Sequence, residues 1–252
     1  MIKDQLLSRN IVISGGSSGI GKECAIECSK QGANILLIGR NPSTLQETLD
    51  SLSQGNHRSV ILDLGKPDEI ESILSGVLPT FGKIDGFVHS AGIEKTLPFD
   101  FSKPSLFRDI FNVNVFGGFE LSRIISNKKY ISPNGASLVF IASVMGVVGQ
   151  AGKVAYCASK GAIISGTKAL ALELAKKKIR VNAISPAIVD TPLTKDMFEN
   201  LPEESVQSII NQHPLGLGKT NDIAQACIYL LSEQSRWITG ANLIIDGGYT
   251  IQ

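Results

Sequence analysis

The sequence predicts an α/β fold in which a parallel sheet of seven strands lies between helices on both faces. Short apolar segments alternate with longer segments of helical periodicity along the whole chain. The apolar segments are nearly continuous, as in strands that are buried on both faces. No linker or repeat divides residues 1–252, so a single domain is expected. The predicted strands are 10–14, 34–38, 59–62, 85–89, 137–142, 179–184 and 242–245.

Helices fill the intervals between these strands, and local signals mark several of their ends. Pro42 and Pro67 suit a first helical turn, because that position needs no backbone N–H donor. Residues 112–118 place two Asn and two Gly inside a long predicted helix, which indicates a local disturbance at Asn114. The first predicted helix ends near residue 31. The others span 42–53, 67–78, 103–128, 153–176 and 220–231.

A charged, Pro-flanked stretch lies between the sixth strand and the last helix. Residues 193–214 lack a long apolar run, so irregular or short helical structure is expected there. Such segments often form a movable cover over a binding site. We therefore expect a substrate loop at about residues 190–215.

Composition and charge narrow the classes of function. The net charge is +1 with interleaved signs, which argues against nucleic acid or a membrane surface as the main partner. No apolar run approaches the roughly 18 residues of a membrane span, and the first residues lack the apolar core of a signal peptide. The four cysteines and three histidines are scattered without metal-ligand spacing, so no metal is expected. A reducing cytoplasm fits this composition.

A glycine-rich turn follows the first predicted strand. Residues 14–21 contain glycines spaced Gly-x-x-x-Gly-x-Gly and lead directly into a helix. Such a turn lets backbone N–H groups approach a pyrophosphate, whose charge the helix N-terminus favours. A tight turn without a ligand is the alternative. The expected cofactor contacts here are Ser14, Gly15, Ser17, Ser18, Gly19, Ile20 and Gly21.

The end of the second predicted strand bears on the choice of cofactor. Dinucleotide folds often carry an acid there for the ribose 2′-hydroxyl, but this chain has Gly39 followed by Arg40. A guanidinium fork suits a 2′-phosphate, so NADP(H) is the expected cofactor and NAD(H) the alternative. An ordinary exposed loop arginine would be the structural explanation of Arg40.

Three side chains with complementary chemistry are expected to converge near the fifth strand. Tyr156 and Lys160 lie four residues apart on a predicted helix and therefore share one face. A nearby cation favours the phenolate and makes tyrosine a usable proton donor. Ser143 follows the fifth strand, at the edge of the sheet where helices begin. A structural Tyr-x-x-x-Lys pair is the alternative, since this spacing is common on helix surfaces.

Together and in this order, these residues resemble the short-chain dehydrogenase/reductase family, and the resemblance covers nearly the whole chain. It also rests on Asp63, Ala91-Gly92, Asn114, Pro186 with Thr191, and Asp246-Gly247-Gly248. The resemblance implies a Rossmann-like three-layer sandwich and a nicotinamide cofactor. Additional cofactor contacts are then expected at Asp63, Leu64, Ser90, Ala91, Gly92, Asn114, Tyr156, Lys160, Pro186, Ala187, Ile188 and Thr191.

The same resemblance implies catalytic roles. Tyr156 would be the general acid in carbonyl reduction or the base in alcohol oxidation, and Ser143 would orient the substrate oxygen. Lys160 would hold the nicotinamide ribose and lower the Tyr156 pKa, while Asn114 would anchor a water in a proton relay that ends at Lys160.

Three short stretches depart from the family pattern. Ser14 replaces a threonine, His89-Ser90 replaces two asparagines, and Ala187 replaces a glycine near the expected nicotinamide site. None of these changes removes a group that takes part in the chemistry.

The expected function is NADP(H)-dependent, reversible reduction of a ketone or 3-oxoacyl group. The alternatives are NAD(P)-dependent dehydrogenation of a sugar, steroid or polyol, and a non-catalytic dinucleotide sensor. An acyl carrier protein is an expected partner if Lys128, Lys129, Lys176, Lys177, Lys178 and Arg180 form a basic surface. Family resemblance also implies a homotetramer built on the helices at 103–128 and 153–176 and on the C-terminal strand.

Overall fold

A computed structural model describes residues 4–251. Seven strands form one sheet in which every neighbouring pair is parallel, in the order β3-β2-β1-β4-β5-β6-β7. The predicted seven-stranded parallel sheet is confirmed, with shifts of one or two residues at strand ends. The strands are β1 Asn10–Ser14, β2 Asn34–Gly39, β3 Arg58–Ile61, β4 Gly86–His89, β5 Ala136–Ile141, β6 Ile179–Pro186 and β7 Asn242–Ile245.

Nine α-helices are present within residues 4–251. They are α1 Gly19–Lys30, α2 Pro42–Asp50, α3 Ile70–Phe81, α4 Pro104–Phe111, α5 Gly117–Ile125, α6 Val154–Leu174, α7 Pro192–Glu199, α8 Glu203–Asn211 and α9 Thr220–Leu231. Apolar side chains of α3, α5 and α6 pack on one face of the sheet, and those of α1, α2 and α9 pack on the other. The predicted covering of both faces is therefore confirmed, because each of these six helices buries apolar side chains against the continuous apolar strands.

The helix predicted at 103–128 is interrupted. Between α4 and α5 the chain forms a π-helical segment, Asn112–Phe116, which contains the disturbance expected at Asn114. Two side chains of this segment form hydrogen bonds with other parts of the chain. Asn112 Nδ2 donates to the Gly65 carbonyl at 3.2 Å, and Asn114 pairs with the backbone of Ile93. Such π-helical segments often occur at functional sites.

The region between β6 and α9 differs from the rest of the molecule. It contains α7 and α8, neither of which has a buried residue, as expected for a cover that contributes little to the core. A small parallel pair of strands, Val189–Asp190 with Gly218–Lys219, flanks this region. The sequence did not predict this pair, because two-residue strands carry no periodic signal.

The parallel arrangement brings the carboxyl ends of all seven strands to one edge of the sheet. The glycine-rich turn follows β1, Arg40 follows β2, Asp63 follows β3, Ser143 follows β5 and Ala187 follows β6. Ligands of open α/β sheets bind at this carboxyl edge. Among the residues described, no helix is both long and apolar enough to cross a lipid bilayer.

Candidate active site

The glycine-rich turn between β1 and α1 is shaped for close approach. Gly15 has φ +71°, and a Cβ there would lie 2.6 Å from the backbone nitrogen of Ala91. A Cβ on Gly21 would lie 2.2 Å from the Gly15 carbonyl oxygen, so the turn packs tightly against its own helix. Ser18 precedes α1 without a side-chain cap, and the first turn has no acidic residue. The N–H groups at this helix end are therefore available to an anionic group.

A cavity of about 800 Å³ lies along the carboxyl edge of the sheet. Most of the predicted site residues line it, and so do side chains from α6, α7 and α8. The predicted residues in its wall are Gly15, Ser17, Ser18, Gly19, Ile20, Arg40, Asp63, Leu64, Ser90, Ala91, Gly92, Ser143, Tyr156, Lys160, Pro186, Ala187, Ile188 and Thr191. A volume of this size is in the range of small-molecule and cofactor sites.

Three predicted residues lie behind the wall rather than in it. Ser14 and Asn114 are fully buried, and Gly21 is buried within α1. Asn114 contacts the cavity wall directly, through hydrogen bonds to the backbone of Ile93. The backbone at Ala187 does not adopt positive φ, so the alanine that replaces the family's glycine is not strained there.

Tyr156, Ser143 and Lys160 are brought together as predicted. The Ser143 hydroxyl lies beside that of Tyr156 in the cavity wall and acts to lower its pKa, and the Lys160 ammonium lies 5.6 Å from the centre of the Tyr156 ring. Lys160 is buried and donates from Nζ to the Ile141 carbonyl oxygen at 2.8 Å. Ser143 Oγ also accepts from the Met145 N–H at 3.1 Å, which fixes its orientation. This arrangement presents two hydroxyl groups and one cation to the cavity.

The expected lowering of the Tyr156 pKa is not borne out. Burial raises the Tyr156 pKa above its usual value and the charge of Glu94 raises it further, whereas the Ser143 hydrogen bond opposes the rise. The desolvation of the phenolate outweighs any attraction from Lys160. Tyr156 is therefore protonated at neutral pH, which is the form that can donate a proton.

Lys160 is perturbed in the direction expected of a buried cation. Burial lowers its pKa to about 8, and the negative charge of Glu94 partly counters that effect. The protonated and neutral forms of Lys160 therefore exchange near physiological pH. Strong perturbation in a cavity is typical of functional sites.

Asn114 is held by its side chain. Its Oδ1 accepts from the Ile93 N–H at 2.8 Å, and its Nδ2 donates to the Ile93 carbonyl and to Ser159 Oγ. A Cβ on Gly92 would lie 3.4 Å from Asn114 Oδ1 and 3.5 Å from Lys160 Nζ, so these two side chains converge beside that glycine. The π-helical segment is thereby fastened to the loop that follows β4.

Ser14 and His89, two of the residues that depart from the family pattern, belong to one hydrogen-bonded group. His89 Nδ1 lies 2.8 Å from Ser14 Oγ, and Nε2 lies 3.2 Å from the Asn114 carbonyl oxygen. Because a carbonyl only accepts, Nε2 carries the proton and Nδ1 accepts from the serine. Burial, with the nearby Lys160 charge, lowers the His89 pKa to about 3, so the ring is neutral. The histidine therefore connects the end of β1 with the π-helical segment.

Sequence reasoning missed two charged residues in the cavity wall. Glu94 and Lys153 form an ion pair of 2.5 Å with little exposure of either side chain. It also missed His213, which stacks on Tyr249 and accepts from the Ile188 N–H at 3.4 Å. Lys153 directly precedes the helix that carries Tyr156 and Lys160, and this position was the one signal in the sequence that could have identified it. The partners of these residues are remote in sequence, so no spacing rule could identify them.

Comparison with known proteins agrees with this geometry. The family described as "Enoyl-(Acyl carrier protein) reductase" matches residues 15–250. The chain belongs to the short-chain dehydrogenase/reductase family. Its seven-stranded parallel sheet is the Rossmann-like fold of this family, and the protein is accordingly an oxidoreductase of a family that uses nicotinamide dinucleotides.

Similar members of the short-chain dehydrogenase/reductase family have several names. The 3-oxoacyl-[acyl-carrier-protein] reductase FabG of Thermotoga maritima is 33% identical, over 95% of this chain and 97% of the relative. An NAD-dependent glycerol dehydrogenase of Listeria innocua is also 33% identical, over 96% and 93% of the two chains. A provisionally named short-chain alcohol dehydrogenase of Sinorhizobium meliloti matches with a TM-score of 0.91 at 28% identity, over 99% of both chains.

Proposed function

We propose that the protein is an NADP(H)-dependent reductase that converts a ketone or 3-oxoacyl group to the alcohol, in a reversible reaction. The observation that carries the proposal is the convergence of Ser143 and Tyr156 in the cavity wall beside the buried cation of Lys160. Reduction of a carbonyl needs a proton at the oxygen that is about to become a hydroxyl. Protonated Tyr156 is the donor best suited to that oxygen.

Each residue of the site has one task in this proposal. A nicotinamide held in the cavity would supply hydride to the carbonyl carbon. Tyr156 gives its proton to the carbonyl oxygen, and Ser143 orients that oxygen by donating a hydrogen bond. Lys160 holds the ribose and stabilises the phenolate left behind, while Asn114 supports the return of a proton to Lys160. The alcohol-oxidising direction runs through the same atoms, with Tyr156 as the base.

The cofactor residues fit this assignment. The uncapped start of α1 and the glycines of the turn suit a pyrophosphate, which would lie against Gly15, Ser17, Gly19 and Ile20. Arg40 is exposed in the cavity wall beside Gly39, where no acid opposes a phosphate. A guanidinium at this position suits a 2′-phosphate, which supports a preference for NADP(H). Asp63 would contact the adenine, and Ile188 with Thr191 the carboxamide.

Dehydrogenation of a sugar or polyol with NAD(P) is the second candidate. The cavity wall carries Gln150 and Asp196 as well as the Glu94–Lys153 pair. These polar side chains suit a sugar or polyol better than an acyl chain. The name of the Listeria relative, a glycerol dehydrogenase, favours the same candidate. Both candidates use the same proton donor and differ in substrate and direction.

A carrier-bound substrate is supported less well. The lysines of the proposed basic surface precede β5 and β6, at the edge of the sheet opposite the cavity. Arg180 is partly buried and donates to the carbonyls of Leu230 and Ser232, so it stabilises the end of α9. An acyl carrier protein on that surface would serve the cavity of another subunit in the proposed homotetramer.

We also propose a cytoplasmic location.

The experiment that tests the proposal is NADPH oxidation against a panel of simple ketones, hydroxyketones, sugars and 3-oxoacyl thioesters. Tyr156→Phe should reduce kcat by roughly 10²–10⁴-fold, because the donor is lost. Binding of NADPH to this variant, measured by fluorescence, should persist. Tyr229→Phe is the matched control, since Tyr229 lies on α9 outside the cavity wall. A Tyr156→Phe enzyme with more than about a tenth of the original kcat would contradict the assignment.

A further inference from the structure

The ion pair between Glu94 and Lys153 differs from the others among residues 4–251. Glu94 Oε1 lies 2.5 Å from Lys153 Nζ, and their side chains are only 18% and 9% exposed. Each other ion pair in this part of the chain includes a side chain that is more than half exposed. Burying two charges costs desolvation energy, and an apolar pair can often replace them without loss of stability. The pair therefore calls for a functional explanation.

The pair lies close to the reacting groups. Lys153 directly precedes α6 and stands three residues before Tyr156, and both side chains line the cavity with Glu94. The charge of Glu94 raises the pKa of both Tyr156 and Lys160, so it is within electrostatic reach of both. The Leu97 N–H donates to the Gly152 carbonyl at 2.8 Å, which fastens the loop carrying Glu94 to the segment carrying Lys153.

The two partners together offer complementary hydrogen-bonding groups. An ammonium has three donors, and Glu94 is the one partner that the structure gives Lys153 within residues 4–251. A carboxylate accepts at both oxygens, and Glu94 Oε1 has a weak second contact with Thr96 Oγ1 at 3.4 Å. A substrate hydroxyl could donate to Glu94 and accept from Lys153 while leaving the pair intact. A substrate carboxylate would have to displace Glu94, and an alkyl chain would pair with neither charge.

We infer that Glu94 and Lys153 form a hydroxyl-binding subsite, so that the substrate is a hydroxyketone, of which the simplest carry the hydroxyl on the carbon next to the carbonyl. This inference rests on the proposed carbonyl reduction at Tyr156. In that reaction hydride from NADPH forms the new C–H bond, and the carbonyl π electrons take the Tyr156 proton. The products are a 1,2-diol and NADP⁺.

The test compares hydroxyacetone with 2-butanone, which differ in the exchange of a terminal hydroxyl for a methyl. The ratio of their kcat/KM values isolates recognition of the hydroxyl, because effects of Glu94 on Tyr156 and Lys160 apply to both ketones. The wild-type ratio should favour hydroxyacetone by at least about ten-fold, since a site built around a hydroxyl rejects an analogue that lacks it. Glu94→Gln should lower that ratio at least about five-fold.

Removing one partner leaves a buried charge unpaired and can destabilise the fold. The double variant Glu94→Gln/Lys153→Met removes both charges and should bring the ratio close to that of a site indifferent to the hydroxyl. Glu69→Gln is the matched control, because Glu69 makes an exposed ion pair with Lys66. This control should keep the wild-type ratio.

Two results would overturn the subsite while leaving the proposed function in place. One is a wild-type enzyme that reduces both ketones equally well. The other is a hydroxyl preference that survives in the folded double variant, which would mean that other groups bind the hydroxyl. A wild-type preference for 2-oxo acids, lost in Lys153→Met, would replace the subsite with one for carboxylates. No turnover of any carbonyl, despite NADPH binding, would refute the proposed function and the inference together.

Discussion

His89 Nε2 donates a hydrogen bond to the Asn114 carbonyl oxygen at 3.2 Å, from a ring that is 1% exposed. The same ring accepts from Ser14 Oγ at 2.8 Å. Gly118 provides the space, because a Cβ there would lie 2.6 Å from the His89 ring. One neutral imidazole thus connects β1, which precedes the glycine-rich turn, with the π-helical segment that carries Asn114.

His89→Phe should lower kcat by about ten-fold and change cofactor binding less. It leaves the Asn114 carbonyl and Ser14 hydroxyl unpaired, at a cost of ~1–3 kcal/mol each, and loosens the segment that holds Asn114 beside Lys160. Steady-state kinetics and NADPH titration separate the two effects. Gly118→Ala should reproduce the loss of kcat, because its methyl displaces the ring without removing a hydrogen-bonding group.

Two further variants distinguish positioning of Asn114 from packing of the ring. His89→Gln retains a donor and an acceptor and should recover part of kcat. Ser14→Ala removes only the bond on the other side of the ring and should affect kcat less than His89→Phe. Equal kcat in the wild type and a folded His89→Phe enzyme would contradict the role of this bond.

Acid should destabilise the fold through His89. Its pKa is about 3 in the folded protein and about 6.5 when unfolded, so the unfolded chain binds more protons between these values. Stability contributed by neutral His89 is therefore complete above pH ~6.5 and falls on acidification. The loss from pH 7.5 to 5 should be about 2 kcal/mol, measured by urea unfolding, and His89→Gln should lack this component. An NMR titration of His89 with a midpoint near 6.5 would exclude this explanation.

NADPH should bind more tightly than NADH because of Arg40. A guanidinium–phosphate contact is a charge-assisted pair worth about 1.5–3 kcal/mol, or roughly ten- to a hundred-fold in affinity. Gly39→Asp with Arg40→Ala should shift preference towards NADH, although Leu45 must yield, since a Cβ at position 39 would lie 3.1 Å from it. Arg236→Ala, at another exposed arginine, should leave the preference unchanged. Equal kcat/KM for the two cofactors in the wild type would contradict the assignment.

The rate of reduction should fall at alkaline pH as Lys160 loses its proton. Its pKa is about 8, so the cation is present below that pH and is lost above it. Glu94 raises this pKa, so Glu94→Gln should move the falling limb of the kcat/KM profile to lower pH. Glu69→Gln should not move it. If the falling limb of the kcat/KM profile lies at the same pH in Glu94→Gln and in the wild type, a group other than Lys160 controls that limb.

The proposed tetramer should depend on exposed apolar side chains of α6 and β7. Leu172 is 80% exposed on α6, and Leu243 and Ile244 are 38% and 40% exposed on β7. Leu172→Glu should reduce the assembly to a smaller species, because a carboxylate is costly to bury in an apolar interface. Leu7→Glu, at an exposed leucine outside these elements, is the control. Light scattering that reports a wild-type monomer at micromolar concentration would rule out the tetramer.

The sequence by itself determined the features that depend on near neighbours in the chain. Strand and helix alternation predicted the parallel sheet, and this topology brings the turn after β1 and Ser143 after β5 to one edge. The four-residue spacing of Tyr156 and Lys160 placed both on one helix face. Hydrophobic periodicity and the carboxyl-edge rule suffice for such predictions, because both act through local backbone geometry.

Tertiary structure alone decided the partners of the buried charges and the direction of the Tyr156 pKa. Glu94 and Lys153 are 59 residues apart, and His89 lies 75 residues from Ser14. The sequence suggested that Lys160 lowers the Tyr156 pKa, whereas burial and Glu94 raise it. Desolvation and charge act through space and depend on the packing around each group, so residue spacing along the chain cannot predict their balance.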